Sequence, residues 1–153
     1  MPSPACELDI QIVSRLPGIP KPAAFRRWAT LALDAAQKRA RPATVTLRIV
    51  NAVEGRGLNS AFRGKDYATN VLTFIYHEPR APRLMGDVVL CAPVVAAEAR
   101  LQGKRLADHY AHLTLHGLLH LAGHDHETAR EAARMEAIET RLLADLGIAD
   151  PYA

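Results

Sequence analysis

The sequence predicts an α+β fold, a small mixed sheet of four strands packed with about five helices. Three observations predict it. Four short stretches have strand character. A strand, a helix and a strand follow one another at the N-terminal end, an order that favours parallel pairing through a right-handed crossover. The last three segments are all helical. The 153 residues match one domain spanning 1–153, and 49% apolar residues are enough for a core without disulfides.

In order, Glu7 to Ser14 (ELDIQIVS) alternates polar and apolar and reads as a strand. Pro17, Gly18, Pro20 and Pro22 break it. Pro22 to Ala40 reads as a helix with proline in its first turn, Phe25, Trp28, Ala29, Ala32 and Ala36 on one face, and Pro42 as the stop. Thr44 to Val50 is a strand with Val45, Leu47 and Ile49 on one side and Thr44, Thr46 and Arg48 on the other. Asn51 to Asp66, with Gly55, Gly57 and Gly64, reads as a long loop holding at most one helical turn. Asn70 to Tyr76 and Gly86 to Cys91 are strands, separated by a Pro-broken loop from His77 to Met85. Pro93 opens a helix closed by Gly103, a longer helix runs from about Arg105 to Ala122 and stops at Gly123, and a last helix runs from Glu127 to Leu146. No repeat or linker interrupts this order.

The bulk properties narrow the setting. No apolar run approaches the roughly 20 residues of a membrane helix, and the first residues lack the basic and apolar regions of a signal peptide; the expectation is a cytoplasmic protein without a membrane partner. Cys6 and Cys91 are far apart, form no CxxC pair, and read as buried thiols. The net charge is +3 and 15 of the 19 basic residues are Arg. Arginine grips phosphate in two places, which fits a nucleic-acid partner, although a GC-rich genome would also enrich Arg.

The chemistry concentrates in HGLLHLAGHDH, residues 116–126, which holds four of the seven histidines. Residues i and i+4 of a helix share a face, so His116 and His120 can point at one ion. Gly123 turns the chain and His126 arrives from the loop beyond. The pattern H-x3-H-x2-G-x2-H is the spacing of the metzincin metalloproteases, except that Gly117 stands where those enzymes carry Glu. Three imidazoles leave one position of a tetrahedral zinc open, the catalytic rather than the structural arrangement. Without the Glu, peptide hydrolysis lacks its proton shuttle, whereas phosphodiester cleavage needs charge neutralised on a phosphoryl group. His112 is expected to pack against or hydrogen-bond the ligands, and His109 to be solvated. His124 either lines the pocket or occupies a surface turn; Asp125 either orients a ligand ring or caps the last helix.

A second motif, LNSAFRGKDYATNVLTF, residues 58–74, places Arg63 and Lys65 around Gly64 just before a strand, a loop fit to clamp a phosphate. Arg80 and Arg83 read as solvated surface charge that could extend a basic track. LNxxFRGKDxxTNVLTF, GDVVL and HGLLHLAGHDH in this order resemble the YbeY family of bacterial metallo-endoribonucleases, the rRNA maturation factor family, over nearly the whole chain. The resemblance implies an α+β fold and a zinc-dependent, single-strand-specific endoribonuclease acting in 16S rRNA 3′-end maturation and ribosome quality control. It implies zinc ligands at His116, His120 and His126 and a functional Arg63; Lys65, read from its place beside Gly64, is expected to help Arg63 grip a substrate phosphate. It also implies RNA as the partner, not DNA, together with the small ribosomal subunit and assembly factors, among them a small-subunit ribosomal protein and a GTPase. At the position of His124 many members carry Tyr, so no role is carried onto it. Two rival readings are a metallohydrolase on a peptide or amide, and a non-catalytic ribosome-assembly module whose zinc staples the last two helices. The sequence leaves open the cleavage sites, the attacking nucleophile, the oligomeric state and the choice of zinc over another divalent metal.

Overall fold

A computed structural model of the chain describes residues 6–36 and 41–153. The elements run β1 (Cys6–Ile12), α1 (Pro22–Ala36), β2 (Ala43–Val50), α2 (Ala52–Arg63), β3 (Val71–Ile75), β4 (Leu84–Cys91), α3 (Ala92–Leu101), α4 (Leu106–Leu121) and α5 (Ala129–Asp145). The four strands form one mixed sheet in the order β1-β2-β4-β3, and the fold is α+β as expected. β1 pairs with β2, and β2 with β4, in parallel, while β3 runs antiparallel to β4 at an edge. The end of the first predicted helix, 37–40, lies outside the described residues.

The strand patterns place the core. Val45, Leu47 and Ile49 are buried on one face of β2, with Thr44, Thr46 and Arg48 half-buried on the other. The first face packs beneath α1, α4 and α5 through Phe25, Leu115, Leu118, Leu119 and Leu143. α4 is apolar nearly all round its axis, because it runs through the middle of this layer and touches α1, α3, α5 and the sheet. The opposite face carries a smaller cluster of Val50, Leu72, Val89 and Cys91 beneath α2.

Four expectations are corrected. The stretch read as a loop from 51 to 66 holds a three-turn helix, α2, capped by Gly64 in the left-handed conformation at φ 68°. Its glycines hid it: little apolar periodicity is visible because the helix buries only Gly55 and Asn59, and Asn59 anchors it by donating to the Tyr67 carbonyl at 2.7 Å. Of the two thiols, Cys91 is buried but Cys6 is exposed, since β1 is an edge strand. His109, expected in solvent, is 3% exposed and meets Glu98 at 2.9 Å, because α3 covers that face of α4. The last helix begins at Ala129, two residues later than its acidic start implied, and Thr128 caps it by accepting from the Glu131 N–H.

Candidate functional site

Three separate parts of the chain meet in one groove of about 670 Å³. Its walls are the end of α2, the edge strand β3, and the His-bearing face of α4 with the loop that follows; Arg63, Asn70, His116, His120, Asp125, His126 and Glu127 line it. The structure therefore brings Arg63 together with the three histidines. Lys65 does not line the groove; it is exposed in the turn after α2. Arg80 and Arg83 do not line it either, and Arg83 donates to the Thr44 hydroxyl at 3.1 Å.

The turn that delivers His126 is built as its sequence implies. α4 ends at Leu121, and Gly123 adopts φ 109°, where a side chain would be strained. The His124 N–H reaches back to the Leu119 carbonyl at 3.0 Å, closing the helix in Schellman fashion. His126 then faces back toward α4, its ring centre 5.5 Å from that of His116 and 5.9 Å from that of His120. Metal-bound imidazoles hold their ring centres about 3 Å from the ion, hence about 5 Å from each other in a tetrahedral set. Among the described residues no three His, Cys, Asp or Glu side chains are gathered tightly enough to hold an ion as they stand. The separations of His126 from His116 and His120 are a fraction of an ångström wider than that, and His126 lies on an exposed loop. By its chemistry, three imidazoles on one groove, the set is of the kind that a divalent ion takes.

The electrostatics of His120 favour its neutral form. Burial lowers the His120 pKa, and the neighbouring His116 and His126 add to that effect against Asp125 and Glu127. Asp125 neither caps α5 nor bonds a ligand ring. Its Oδ1 accepts from the His126 backbone N–H at 2.7 Å and lies 4.0 Å from the His126 Nδ1, so it shapes the loop. His124 points away from the groove, its Nε2 3.0 Å from the Ala36 carbonyl at the end of α1.

The reason for Gly117 is steric. A Cβ there would lie 2.7 Å from Val88 Cγ1 and 3.4 Å from Val71 Cγ2. Position 117 therefore faces Val88 and Val71 of the sheet, and α4 approaches β4 so closely that any side chain there would force a shift.

The sequence reading missed Glu139. It is fully buried on α5, with Oε1 2.6 Å from His116 Nδ1 and Oε2 2.8 Å from His112 Nε2. The Tyr152 hydroxyl also donates to Oε2. Burial opposes its ionisation, but the hydrogen bonds from His112 and His116 and that from Tyr152 prevail and hold its carboxyl down at about 2. Burial and that carboxylate together push the Tyr152 hydroxyl well above its ordinary range. His112 thus hydrogen-bonds Glu139 behind His116, a polar contact of the kind its place on the helix implied. Glu139 gave no signal of its own among the many charged residues of an amphipathic helix. Asn70, beside Arg63 in the groove, is committed to Glu98 at 3.0 Å, the same carboxylate that meets His109.

With this geometry in place, the chain can be compared with known proteins. A family model described as Endoribonuclease YbeY matches residues 17–147. A protein of Alkalilimnicola ehrlichii named Endoribonuclease YbeY is 53% identical, the match covering 98% of this chain and 93% of the relative. Proteins of the same name from Laribacter hongkongensis and Stenotrophomonas maltophilia are 54% and 53% identical, over 96% and 95% of this chain and 90% and 94% of theirs. The solution structure of a Thermotoga maritima protein superimposes with a TM-score of 0.60 at 24% identity, covering 90% of this chain and 91% of the other, a likeness of fold.

Proposed function

Since this chain belongs to the endoribonuclease YbeY family, we propose that it cleaves single-stranded RNA in the groove between α2, β3 and α4, acting on 16S rRNA precursor at its 3′ end and in ribosome quality control. The observation that carries this reading is the convergence of Arg63 with His116, His120 and His126 on one groove. The three histidines are the residues that would hold a divalent ion, zinc by preference for an all-imidazole set. Such an ion, when bound, supplies Lewis acidity toward a phosphoryl oxygen and acidifies water.

The rest of the work belongs to the chain. Arg63, exposed at the last turn of α2, offers its guanidinium fork to the scissile or the adjacent phosphate and stabilises charge that develops there. Asn59, fixing α2 to the following turn, sets where that fork stands. Lys65 adds positive charge to the approach rather than a contact inside the groove. The ribosomal small subunit, the assembly factors and a cytoplasmic setting belong to the same reading; no helix among the described residues is long and apolar enough to cross a membrane.

The rival readings find less support. A peptide or amide hydrolase of the metzincin type would need its Glu at position 117, which packs against Val88. A zinc that only stapled α4 to α5 would be sealed between them, whereas the three rings open into the groove. The test is metal content and cleavage of 16S rRNA precursor by purified wild type, His116→Ala and Arg63→Ala. His116→Ala is expected to lose both metal and cleavage, and Arg63→Ala to keep metal and lose cleavage. Cleavage by metal-free protein would overturn the mechanism.

A further inference from the structure

Building on the reading of His116 as a metal ligand, we propose that Glu139 and Tyr152 form a positioning latch that fixes which nitrogen of His116 faces the groove. A carboxylate accepts hydrogen bonds, and three groups crowd the two oxygens of Glu139: His116 Nδ1, His112 Nε2 and the Tyr152 hydroxyl. Each of the three must therefore donate. The contact with Oε1 places a ring proton on His116 Nδ1, which leaves Nε2 on the opposite side of a ring that lines the groove. Carboxylates behind ligating histidines fix tautomer and ring orientation in this way in other metal sites.

Tyr152 is what stops the carboxylate from turning. It lies beyond the family-matched segment, which ends at residue 147, on a tail folded back over α5. Asp150 Oδ1 accepts from the Tyr152 N–H at 2.8 Å and from the Thr140 hydroxyl at 3.3 Å, pinning that tail. The Tyr152 ring also meets the His112 ring edge-on, at 5.5 Å between centres. The hydroxyl and His112 together occupy Oε2, so Oε1 stays turned toward His116. The C-terminal tail thereby reaches the groove through two side chains without touching substrate.

The test uses full-length, metal-free protein with ¹⁵N-labelled histidine, in which long-range proton–nitrogen correlations report the His116 tautomer, followed by titration with Co²⁺. Wild type is expected to hold the Nδ1–H tautomer. In Glu139→Gln the amide cannot accept from both histidines, so the Nε2–H form of His116 is expected to grow and Co²⁺ affinity to fall by about 10-fold or more. In Tyr152→Phe, which keeps the ring at a half-exposed terminal position, affinity is expected to fall by roughly 3- to 10-fold. A folded Glu139→Gln with the wild-type tautomer, or a Tyr152→Phe with unchanged affinity, would overturn the latch. Wild type that takes up no Co²⁺ would instead defeat the metal reading, and the tautomer in metal-free protein would still decide the latch.

Discussion

Gly117 and Arg63 show how single residues divide between packing and chemistry. The absent side chain at 117 lets α4 sit against Val88, so Gly117→Ala is expected to destabilise the protein by about 1–3 kcal/mol through overpacking, read as a lower urea midpoint with an unchanged slope. An unchanged midpoint would mean that α4 stands off the sheet. Arg63 makes no such packing demand. Arg63→Ala is expected to leave the urea midpoint within about 0.5 kcal/mol of wild type while lowering cleavage by about 100-fold or more, the range for loss of a charge-stabilising donor. Single-turnover kinetics on an RNA oligomer would measure it. That His116, His120, His126 and Arg63 belong to one place was legible because the i, i+4 pair, the glycine break and the motif around Arg63 are local signals, and the four do line one groove. Glu139 and Tyr152 were not, because an acid on an amphipathic helix and a tyrosine near a terminus look like many others until folding brings them together.

Among the elements, α2 and α4 illustrate opposite cases. α4 was legible at both ends, since its apolar run and Gly123 are strong local signals. α2 was hidden by glycine and by its exposure, and its stability comes from capping at Gly64 and from Asn59 rather than from an apolar stripe. The α3–α4 contact carries a pH dependence. Burial lowers the His109 pKa, and Glu98 opposes this without reversing it. The unfolded chain, titrating near the ordinary value of about 6.5, then takes up the proton first as pH falls. Stability is therefore full above about pH 6.5 and declines as pH drops below it toward the lowered folded value. Between pH 8 and pH 5.5 the urea midpoint of wild type is expected to fall further than that of His109→Gln; parallel declines would remove His109 as the cause.

At the scale of the whole molecule, the groove exists only because α2, β3 and the α4–α5 loop converge from distant parts of the chain. The proposed divalent ion, bridging α4 to that loop, would bind the folded state alone and shift unfolding by mass action. Zinc at about 100 times its dissociation constant is expected to contribute about 2.7 kcal/mol, a rise of roughly 5–10 °C in Tm for a chain of this size. Calorimetry with and without chelator would measure it, and the rise is expected to vanish in His116→Ala. A wild-type Tm indifferent to zinc would remove the ion from the fold's stability.

Local chemistry determined what could be read in one dimension. Strand alternation, proline and glycine punctuation and the i, i+4 histidine pair each depend on backbone geometry over a few residues, so four strands, four of the five helices and the convergent histidines were written in the order of residues. Tertiary structure decided what depends on neighbours from elsewhere in the chain. It buried His109 against Glu98, turned position 117 toward Val88, left Lys65 outside the groove that Arg63 enters, and closed Glu139 between His116, His112 and Tyr152. Burial and hydrogen-bond partnership are properties of the packed molecule, and no local pattern encodes them.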